Sequence, residues 1–326
     1  MEAFSPLHFQ ITATGLYAPP CVETAEDLAK RVGKTADWIV ASTGVLRRHI
    51  SDEPVEHMAA EAARQALGTG PPPDLIINAS TTPRQVIPDT SVFIEAELGY
   101  SGVASHSIHG TCLSFLVALH TAGAFIAARA YRRVLVVSAE IGSVARDYTE
   151  AESSVLLGDG AAAAIVEPTP AGAGSKLLGY VAGTFPRFSG LAELRGGGVH
   201  RLPNGPDSLP TDTLFHMNGT RLFRAAMINI PPMIDLLFQQ TGLSVKDIDL
   251  VVPHQPSKPG LESLQRWGFA PDKVVDIIAE YGNCIAASMP MALATAHADG
   301  RLRRGARVLL IGTGAGLTIG AAIVEW

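Results

Sequence analysis

The pentapeptide AAIVE occurs twice in this chain of 326 residues, at 163–167 and again at 321–325. Two further apolar strings recur in the same order: DLIINA at 74–79 pairs with DLVVP at 249–253, and RVLVVSA at 133–139 pairs with RVLLIG at 307–312. Short apolar runs of this kind are typical of buried strands. Because the pairs are separated by similar lengths of chain, they predict a fold built from two duplicated halves.

Apolar helices are predicted between the repeated strings, at 112–130 in the first half and at 286–298 in the second. Apolar strands that alternate with helices indicate an α/β fold whose sheets are covered on both faces. The segment 171–208 is rich in glycine and proline, and we interpret it as a connector with surface loops. We therefore expect two similar halves, 1–170 and 171–326, packed on one another.

Composition excludes several classes of function. The formal charge of −6 gives no reason to expect nucleic acid or an anionic membrane as a partner. Residues 1–10 lack the basic start and apolar run of a secretion signal, so a cytoplasmic protein is expected. The three cysteines, Cys21, Cys112 and Cys284, have no CxxC spacing, which argues against disulfides and against a zinc site.

Three reactive side chains lie in separate motifs: Cys112 in HGTCLSF, His254 in VVPHQP and Asn283 in EYGNCIAAS. A thiol can hold an acyl group as a thioester, while an imidazole and an amide can stabilise an oxyanion. Cys112 is predicted to open a helix, whose N-terminus favours the thiolate. His254 follows a predicted strand at the end where open α/β sheets place their ligands. Taken singly, each residue also allows a structural role in packing, hydrogen bonding or a turn.

Together these segments resemble the ketoacyl synthase III group of the thiolase superfamily, the condensing enzymes that start fatty acid and many polyketide chains. The likeness runs nearly end to end and includes DWIVASTGVLRRHI, LLGDGAAAAIV, MNGTRLF and GAGLTIGAA, in the order of the family. It implies a thiolase-like five-layered αβαβα sandwich made of two duplicated halves, in a homodimer. It also implies substrates carried on phosphopantetheine, with no metal and no redox cofactor.

The resemblance implies a role for each reactive residue. Cys112 would be the acyl-thioester nucleophile, and His254 with Asn283 would bind the carbonyl of a second thioester. The backbone amides of Cys112 and Ala315 would form the oxyanion hole. The implied reaction is the formation of a carbon–carbon bond between the acyl group on Cys112 and a second carrier-bound (β-keto)acyl thioester.

The chain departs from the family at the positions that hold coenzyme A. The tryptophan of that site is matched by Trp38, but the two arginine positions align with Ser42 and Ala151. Without guanidinium groups the charge-assisted contacts to phosphates are lost, so we expect acyl groups to arrive on an acyl carrier protein. Such carriers are acidic and need a basic docking patch. The candidates by position are Arg221, Arg224 and Lys258.

Two further departures concern the substrate tunnel. The family's phenylalanine associated with decarboxylating malonyl extenders aligns with Thr313, and its gating phenylalanine, contributed across the dimer, aligns with Ile87. Both changes favour specialised polyketide or fatty acid biosynthesis, with condensation of two acyl chains without decarboxylation and closure to an α-pyrone. The alternatives are an acyltransferase that moves the acyl group to a hydroxyl or amine, a decarboxylating starter synthase that uses malonyl-carrier protein, a thioesterase and a non-catalytic partner subunit.

Overall fold

The computed structural model describes residues 4–202 and 205–326. Its strands are β1 (Phe9–Tyr17), β2 (Cys21–Thr24), β3 (Arg47–Ile50), β4 (Leu75–Asn78), β5 (Ala104–Ser107), β6 (Val134–Ile141), β7 (Asp159–Pro168), β8 (Lys176–Thr184), β9 (Ala192–Glu193), β10 (His216–Met217), β11 (Leu250–Pro253), β12 (Arg307–Gly314) and β13 (Thr318–Glu325). Its α-helices are α1 (Ala25–Val32), α2 (Ala36–Thr43), α3 (Val55–Leu67), α4 (Thr90–Glu97), α5 (Ser114–Ala127), α6 (Ala151–Ser154), α7 (Gly219–Thr241), α8 (Lys258–Glu262), α9 (Ile278–Tyr281) and α10 (Ser288–Ala298).

The two larger sheets repeat one strand order. The first runs β1-β7-β6-β4-β5, and the second, read from its other edge, runs β8-β13-β12-β11. In the first sheet β4 is parallel to β6, and in the second sheet β11 is parallel to β12. The preceding pairs are antiparallel in both sheets: β1 with β7 and β7 with β6 in the first, and β8 with β13 and β13 with β12 in the second. The repeated strings of the sequence occupy equivalent strands in this order. The topology therefore confirms the duplication that the sequence predicts.

Two apolar helices separate the sheets. Helix α5 contacts β6 and β7 on one side and β8 and β13 on the other, and α10 contacts β1, β7 and β11. Most of their side chains are buried, as expected for helices that are covered on all sides. Helix α3 covers the outer face of the first sheet, and α7 covers the outer face of the second. The layers are therefore α, β, α, β and α, which agrees with the predicted sandwich.

One part of the sequence interpretation is wrong. The segment 171–208 is not only connector and loops, because Lys176–Thr184 forms β8, which pairs along most of β13. This strand has alternating burial and lies at the edge of its sheet, and glycines on both sides of it conceal the pattern in the sequence. The strands of the first sheet end at Pro168 and those of the second begin at Lys176, so the predicted boundary near residue 170 falls between them.

In the part of the chain that the structure describes, no helix is both long enough and apolar enough to cross a lipid bilayer.

Replacement of Leu119 by alanine should lower the free energy of unfolding by about 2–5 kcal/mol, because this side chain in α5 is 1% exposed and leaves a cavity in the central layer. Urea unfolding followed by circular dichroism measures the change. The control is Ile228→Ala on α7, where the side chain is 68% exposed and the expected change is within about 0.5 kcal/mol. Equal losses in the two variants would contradict the placement of α5 between the sheets.

Candidate active site

Cys112 lies in a tight turn between β5 and α5. Thr111 has a positive φ of 51°, an uncommon conformation for a β-branched residue. The Ser114 hydroxyl donates to the Thr111 carbonyl at 2.7 Å and accepts from the Gly110 amide at 2.9 Å. Helix α5 begins at Ser114, with Leu113 as its N-cap, so Cys112 precedes the helix and does not open its first turn as predicted. The turn therefore holds Cys112 two residues before the first residue of α5.

The expectation that the helix end favours a thiolate at Cys112 is wrong. Burial raises the pKa of the Cys112 thiol to about 12, and the negative charge of Glu140 raises it further. The backbone amides of Ala315 and of Cys112 itself lower this pKa, but less than burial raises it. Desolvation therefore outweighs the helix end, although the residue as a whole is only partly buried. Cys112 is therefore a thiol at neutral pH.

The end of β12 contacts both the cysteine turn and His254. A Cβ at Gly314 would overlap the Thr111 hydroxyl, and a Cβ at Gly312 would lie 2.7 Å from the Cβ of His254. Glycine is the only residue that allows so close an approach. This strand end also leads into Ala315, whose backbone amide lowers the pKa of the Cys112 thiol and therefore lies near it. That the amides of Cys112 and Ala315 form an oxyanion hole stays a prediction.

His254 follows β11 directly and is 3% exposed. Its backbone amide donates to the Ile311 carbonyl at 2.8 Å, which fixes the residue beside β12. Burial lowers the pKa of the His254 imidazole to about 4. Its Nδ1 atom is buried and has no hydrogen-bond partner among the described residues. The ring is therefore neutral at pH 7, with one donor and one acceptor nitrogen.

Asn283 is held by its backbone and by one side of its amide. Its backbone amide donates to the Leu156 carbonyl at 2.8 Å, and its carbonyl accepts from the Gly158 amide at 3.0 Å. The side-chain Oδ1 accepts from the Ile285 amide at 2.9 Å, whereas Nδ2 lies 3.5 Å from the Pro256 carbonyl. Because Oδ1 accepts from the Ile285 amide, Nδ2 is the donor end of the side chain. It points toward Pro256, two residues after His254.

Two buried arginines support the segment that holds Asn283. The Arg146 guanidinium donates to the Leu157 carbonyl at 3.0 Å and pairs with Glu23 at 2.6 Å. Arg48, which is fully buried, donates to the Val155 carbonyl. These contacts order the strand-like segment against which the asparagine backbone pairs. This role is not predictable from the sequence, because an isolated arginine is normally expected at the surface.

Glu140, at the end of β6, was also missed. Its carboxylate accepts hydrogen bonds from the Thr82 amide at 2.9 Å, the Thr82 hydroxyl at 2.8 Å and the Thr81 amide. Burial raises the pKa of Glu140 to about 7, while these hydrogen bonds lower it. The only sequence signal was its position at the carboxyl end of a buried strand. Glu140 anchors the start of the loop that carries Ile87.

A cavity of about 140 Å³ adjoins His254 and Thr313. One wall is a face of α7, and the other is the segment that runs from Pro256 through α8 to Trp267. Thr313 and His254 both line this cavity, and the role of Thr313 in a substrate tunnel stays a prediction. The other two predicted tunnel residues do not line it: Trp38 packs in α2 under the Lys34 ammonium, and Ile87 is 82% exposed on the loop before α4.

The three predicted docking residues are exposed on the elements that flank this cavity. Arg221 and Arg224 lie in the first two turns of α7. Lys258 begins α8, where its ammonium is 4.0 Å from Glu262. Exposed ion pairs of this kind contribute little to stability. All three charges therefore face solvent near the same cavity.

One group of side chains has the composition of a metal site. Ligand-capable atoms of Asp147, Glu150 and His216 lie within 4.8 Å of one another. The His216 Nδ1 atom lies 2.8 Å from Glu150, and Asp147 accepts from the Thr149 amide and hydroxyl. Because His216, Glu150 and Asp147 already take part in these hydrogen bonds, we assign no cation to the group.

The fold and this set of side chains are those of a thiolase-fold condensing enzyme. The chain matches the family model for 3-oxoacyl-[acyl-carrier-protein (ACP)] synthase III over residues 107–186, and the model for the C-terminal part of that enzyme over residues 238–326. It is 35% identical to the β-ketoacyl-[acyl-carrier-protein] synthase III of Bradyrhizobium diazoefficiens, over 97% of this chain and 98% of the relative. The chain belongs to the β-ketoacyl-[acyl-carrier-protein] synthase III family.

Solved structures agree with this assignment. The 3-oxoacyl-[acyl-carrier-protein] synthase III of Aquifex aeolicus superposes with a TM-score of 0.88 at 31% identity, covering 98% of this chain and all (100%) of that one. A structure of OleA from Xanthomonas campestris gives a TM-score of 0.86 at 22% identity, covering 99% and 100% of the two chains. The second likeness is one of fold alone.

Family membership confirms the class of enzyme. The chain is an acyl-transferring condensing enzyme of the β-ketoacyl synthase III type. Enzymes of this type act on acyl groups carried on phosphopantetheine and need no further cofactor.

Alkylation of Cys112 by iodoacetamide should accelerate by about tenfold per pH unit between about pH 7 and pH 9, because only the thiolate reacts and the pKa of this thiol is about 12. The extent of reaction is measured by peptide mass spectrometry. Glu140→Gln removes a negative charge that raises this pKa, so alkylation should be faster at each pH. Glu262→Gln, at an exposed carboxylate, is the control and should leave the rate unchanged. A rate that levels off below pH 9 would contradict the assigned protonation state.

Proposed function

We propose that this enzyme joins an acyl group held by Cys112 to a second carrier-bound (β-keto)acyl thioester without decarboxylation, in a specialised polyketide or fatty acid pathway that leads to an α-pyrone. The observation that carries the proposal is the composition of the cavity beside His254. Among the described residues, its lining includes no lysine, arginine, aspartate or glutamate, and it includes the small polar Thr313 together with His254. This environment suits a neutral second substrate and offers no cation for a malonyl carboxylate.

The first half of the proposed reaction charges the enzyme. The Cys112 sulfur attacks the carbonyl of the carrier thioester, the carrier thiol leaves, and the thiol proton of Cys112 balances the charge on the departing sulfur. In this step the amides of Cys112 and Ala315 donate to the carbonyl oxygen as it becomes negative. The proposal is supported by the effect of both amides on the pKa of the Cys112 thiol, which each of them lowers. Because the site is desolvated, these two amides take the place of water in stabilising the negative oxygen.

The second half forms the carbon–carbon bond. The carbonyl oxygen of the incoming thioester accepts hydrogen bonds from the neutral His254 ring and from Asn283 Nδ2, which stabilise the enolate formed when the α-carbon loses a proton. The enolate carbon attacks the acyl-Cys112 carbonyl and expels the cysteine thiolate. The α-proton is released to solvent when the enolate forms, and the expelled thiolate takes up one proton from solvent, so the Cys112 thiol is restored and the step balances.

We infer that both acyl groups are delivered by an acyl carrier protein. Ser42 and Ala151 stand where the resemblance calls for arginines that bind coenzyme A phosphates, so the chain lacks those contacts. Arg221, Arg224 and Lys258 are exposed around the cavity and complement an acidic carrier.

We also infer that the enzyme is a homodimer. Strand β5 is an edge of the first sheet, with one side not paired within the described part of the chain. On the loop that precedes α4, Val86 is 78% exposed and Ile87 is 82% exposed. Open strand edges and exposed apolar side chains are normally covered. A second copy paired along β5 would cover them, and it would bring Ile87 toward the partner's acyl site.

The second candidate function is a decarboxylating starter synthase that uses malonyl-carrier protein. It is favoured by the identity of 35% with a synthase III relative over nearly the whole chain. Transfer of the acyl group to a hydroxyl or amine is less favoured, because Asn283 is present and oriented for enolate formation.

The test loads acyl carrier protein with short, long, malonyl and β-ketoacyl groups and follows both Cys112 adducts and released products by mass spectrometry. We expect β-ketoacyl carriers to give a joined product that retains every carbon of both chains, because the site holds a neutral second thioester. Malonyl carrier should give little product. Efficient condensation of malonyl carrier with release of CO2 would instead establish the starter synthase. Acyl-CoA serves as the comparison for delivery, and charging of Cys112 as fast as from the carrier would contradict the docking proposal.

Replacement of Asn283 by alanine should leave acylation of Cys112 intact and lower product formation by about 10²–10³-fold, the usual cost of one lost donor to an oxyanion. Intact mass measures the acyl adduct, and chromatography measures the product. Asn218→Ala, at the N-cap of α7, is the control for loss of an amide outside the proposed reaction. Loss of acylation in the Asn283 variant would contradict the division of roles.

A further inference from the structure

The peptide unit between Leu157 and Gly158 is hydrogen-bonded on both of its sides. The Leu157 carbonyl accepts from two nitrogens of the Arg146 guanidinium, from Nε at 3.0 Å and from Nη2. The Gly158 amide of the same unit donates to the Asn283 carbonyl at 3.0 Å. A peptide unit is planar, and the carbonyl and amide of a trans unit point in opposite directions. The direction in which Arg146 holds the Leu157 carbonyl therefore sets the direction of the amide that donates to Asn283.

The Arg146 side chain is itself fixed by its contacts. The residue is 4% exposed, and its Nη1 atom donates to Glu23 at 2.6 Å, so all three guanidinium nitrogens are hydrogen-bonded. The Glu23 carboxylate, on β2, also lies 3.3 Å from Arg31 and 3.7 Å from Arg48. Hydrogen bonds between charged groups are about twice as strong as neutral ones. The planar guanidinium therefore has one orientation, set by the carboxylate on one side and by the Leu157 carbonyl on the other.

The Asn283 side chain moves with its own backbone. Its Oδ1 atom accepts from the Ile285 amide at 2.9 Å, which ties the side chain to the adjacent main chain. Its backbone amide donates to the Leu156 carbonyl at 2.8 Å. A Cβ at Gly282 would lie 2.6 Å from this same carbonyl oxygen, so the two backbones are in direct contact. A shift of residues 156–158 would therefore displace the Asn283 Nδ2 donor as well.

We infer that Arg146 is a positioning residue for carbon–carbon bond formation: by fixing the Leu157–Gly158 peptide unit, it holds Asn283 Nδ2 where the enolate oxygen forms. The inference rests on the role proposed for Asn283, because it assigns the group that orients that amide. Arg146 and Glu23 belong to the first half of the chain and Asn283 to the second. The half that carries Cys112 therefore also orients a donor for the second thioester.

Arg146→Met removes the donors to the Leu157 carbonyl and leaves Glu23 paired with Arg31 and Arg48. We expect kcat for product formation to fall by about tenfold or more, because a misplacement of about 1 Å can cost about 10²-fold. Acylation of Cys112 and KM for the second thioester should change by less than about twofold, since the lost alignment matters in the transition state. Intact mass measures the adduct, and chromatography measures the product from the carrier-bound thioester that reacts best.

A double-mutant cycle separates positioning from a structural role. In the Asn283→Ala enzyme, Arg146→Met should lower kcat by less than about twofold further, because no amide remains to be positioned. Equal losses in the presence and absence of Asn283 would overturn the inference. Arg133→Met is the matched control, because Arg133 is also largely buried and pairs with a glutamate, Glu167. It should leave kcat unchanged.

A conservative variant keeps the inference testable if Arg146→Met does not fold, because loss of a buried ion pair is often destabilising. Arg146→Lys retains the positive charge beside Glu23 but offers one nitrogen where the guanidinium offers three. It should lower kcat by about threefold or more, and again only when Asn283 is present. Circular dichroism checks the fold of each variant. A folded Arg146→Lys enzyme with unchanged kcat would overturn the inference.

Hydrogen exchange distinguishes failure of this inference from failure of the proposed function. In Arg146→Met, the amides of Gly158 and Asn283 should exchange about tenfold or more faster than in wild type, while those of α5 should not change. Mass spectrometry of peptides measures the exchange, and Arg133→Met should match wild type. Unchanged exchange at both amides would overturn the positioning role. If no carrier-bound thioester gives product, the proposed function fails, and faster exchange would still assign Arg146 to the Asn283 backbone.

Discussion

The close approach of β12 to the cysteine turn and to His254 holds the candidate site together. It exists because Gly312 and Gly314 carry no side chain, so the strand end lies against His254 on one side and the turn at Thr111 on the other. The same strand is parallel to β11, which His254 follows, and it continues into Ala315, whose backbone amide lowers the pKa of the Cys112 thiol. A side chain at either glycine would separate groups that belong to different halves of the chain.

Burial is the largest cause of the pKa shift of three titratable groups at the candidate site. It raises the pKa of Cys112 to about 12 and that of Glu140 to about 7, and it lowers the pKa of His254 to about 4. All three shifts favour the neutral form. In the proposed reaction, each charged intermediate therefore depends on dipoles that are already oriented, such as the Ala315 amide and the Asn283 side chain. Such a site stabilises an oxyanion or enolate with hydrogen bonds that need no rearrangement.

The sequence predicts those parts of the fold that repeat. The strings that became β4, β6 and β7 recur as β11, β12 and β13, and the apolar stretches between them became α5 and α10. Strand β8 was not predicted, because glycine-rich flanks conceal an edge strand whose pattern depends on its partner. The three reactive residues were found from their motifs. Their charge states were not, because desolvation depends on side chains that only the fold brings near, among them Glu140.

The duplication also explains why one site, and not two, is present. Ala79 follows β4 at the position where His254 follows β11. Ala286 lies two residues before α10, where Cys112 lies two residues before α5. Both alanines are fully buried. Each half therefore keeps a reactive side chain at one of two equivalent positions and an alanine at the other. In the proposed reaction, acyl transfer to Cys112 therefore belongs to the first half, and enolate stabilisation by His254 and Asn283 belongs to the second. Substitutions along α7, which lines the cavity beside His254, can then alter the second substrate without altering Cys112.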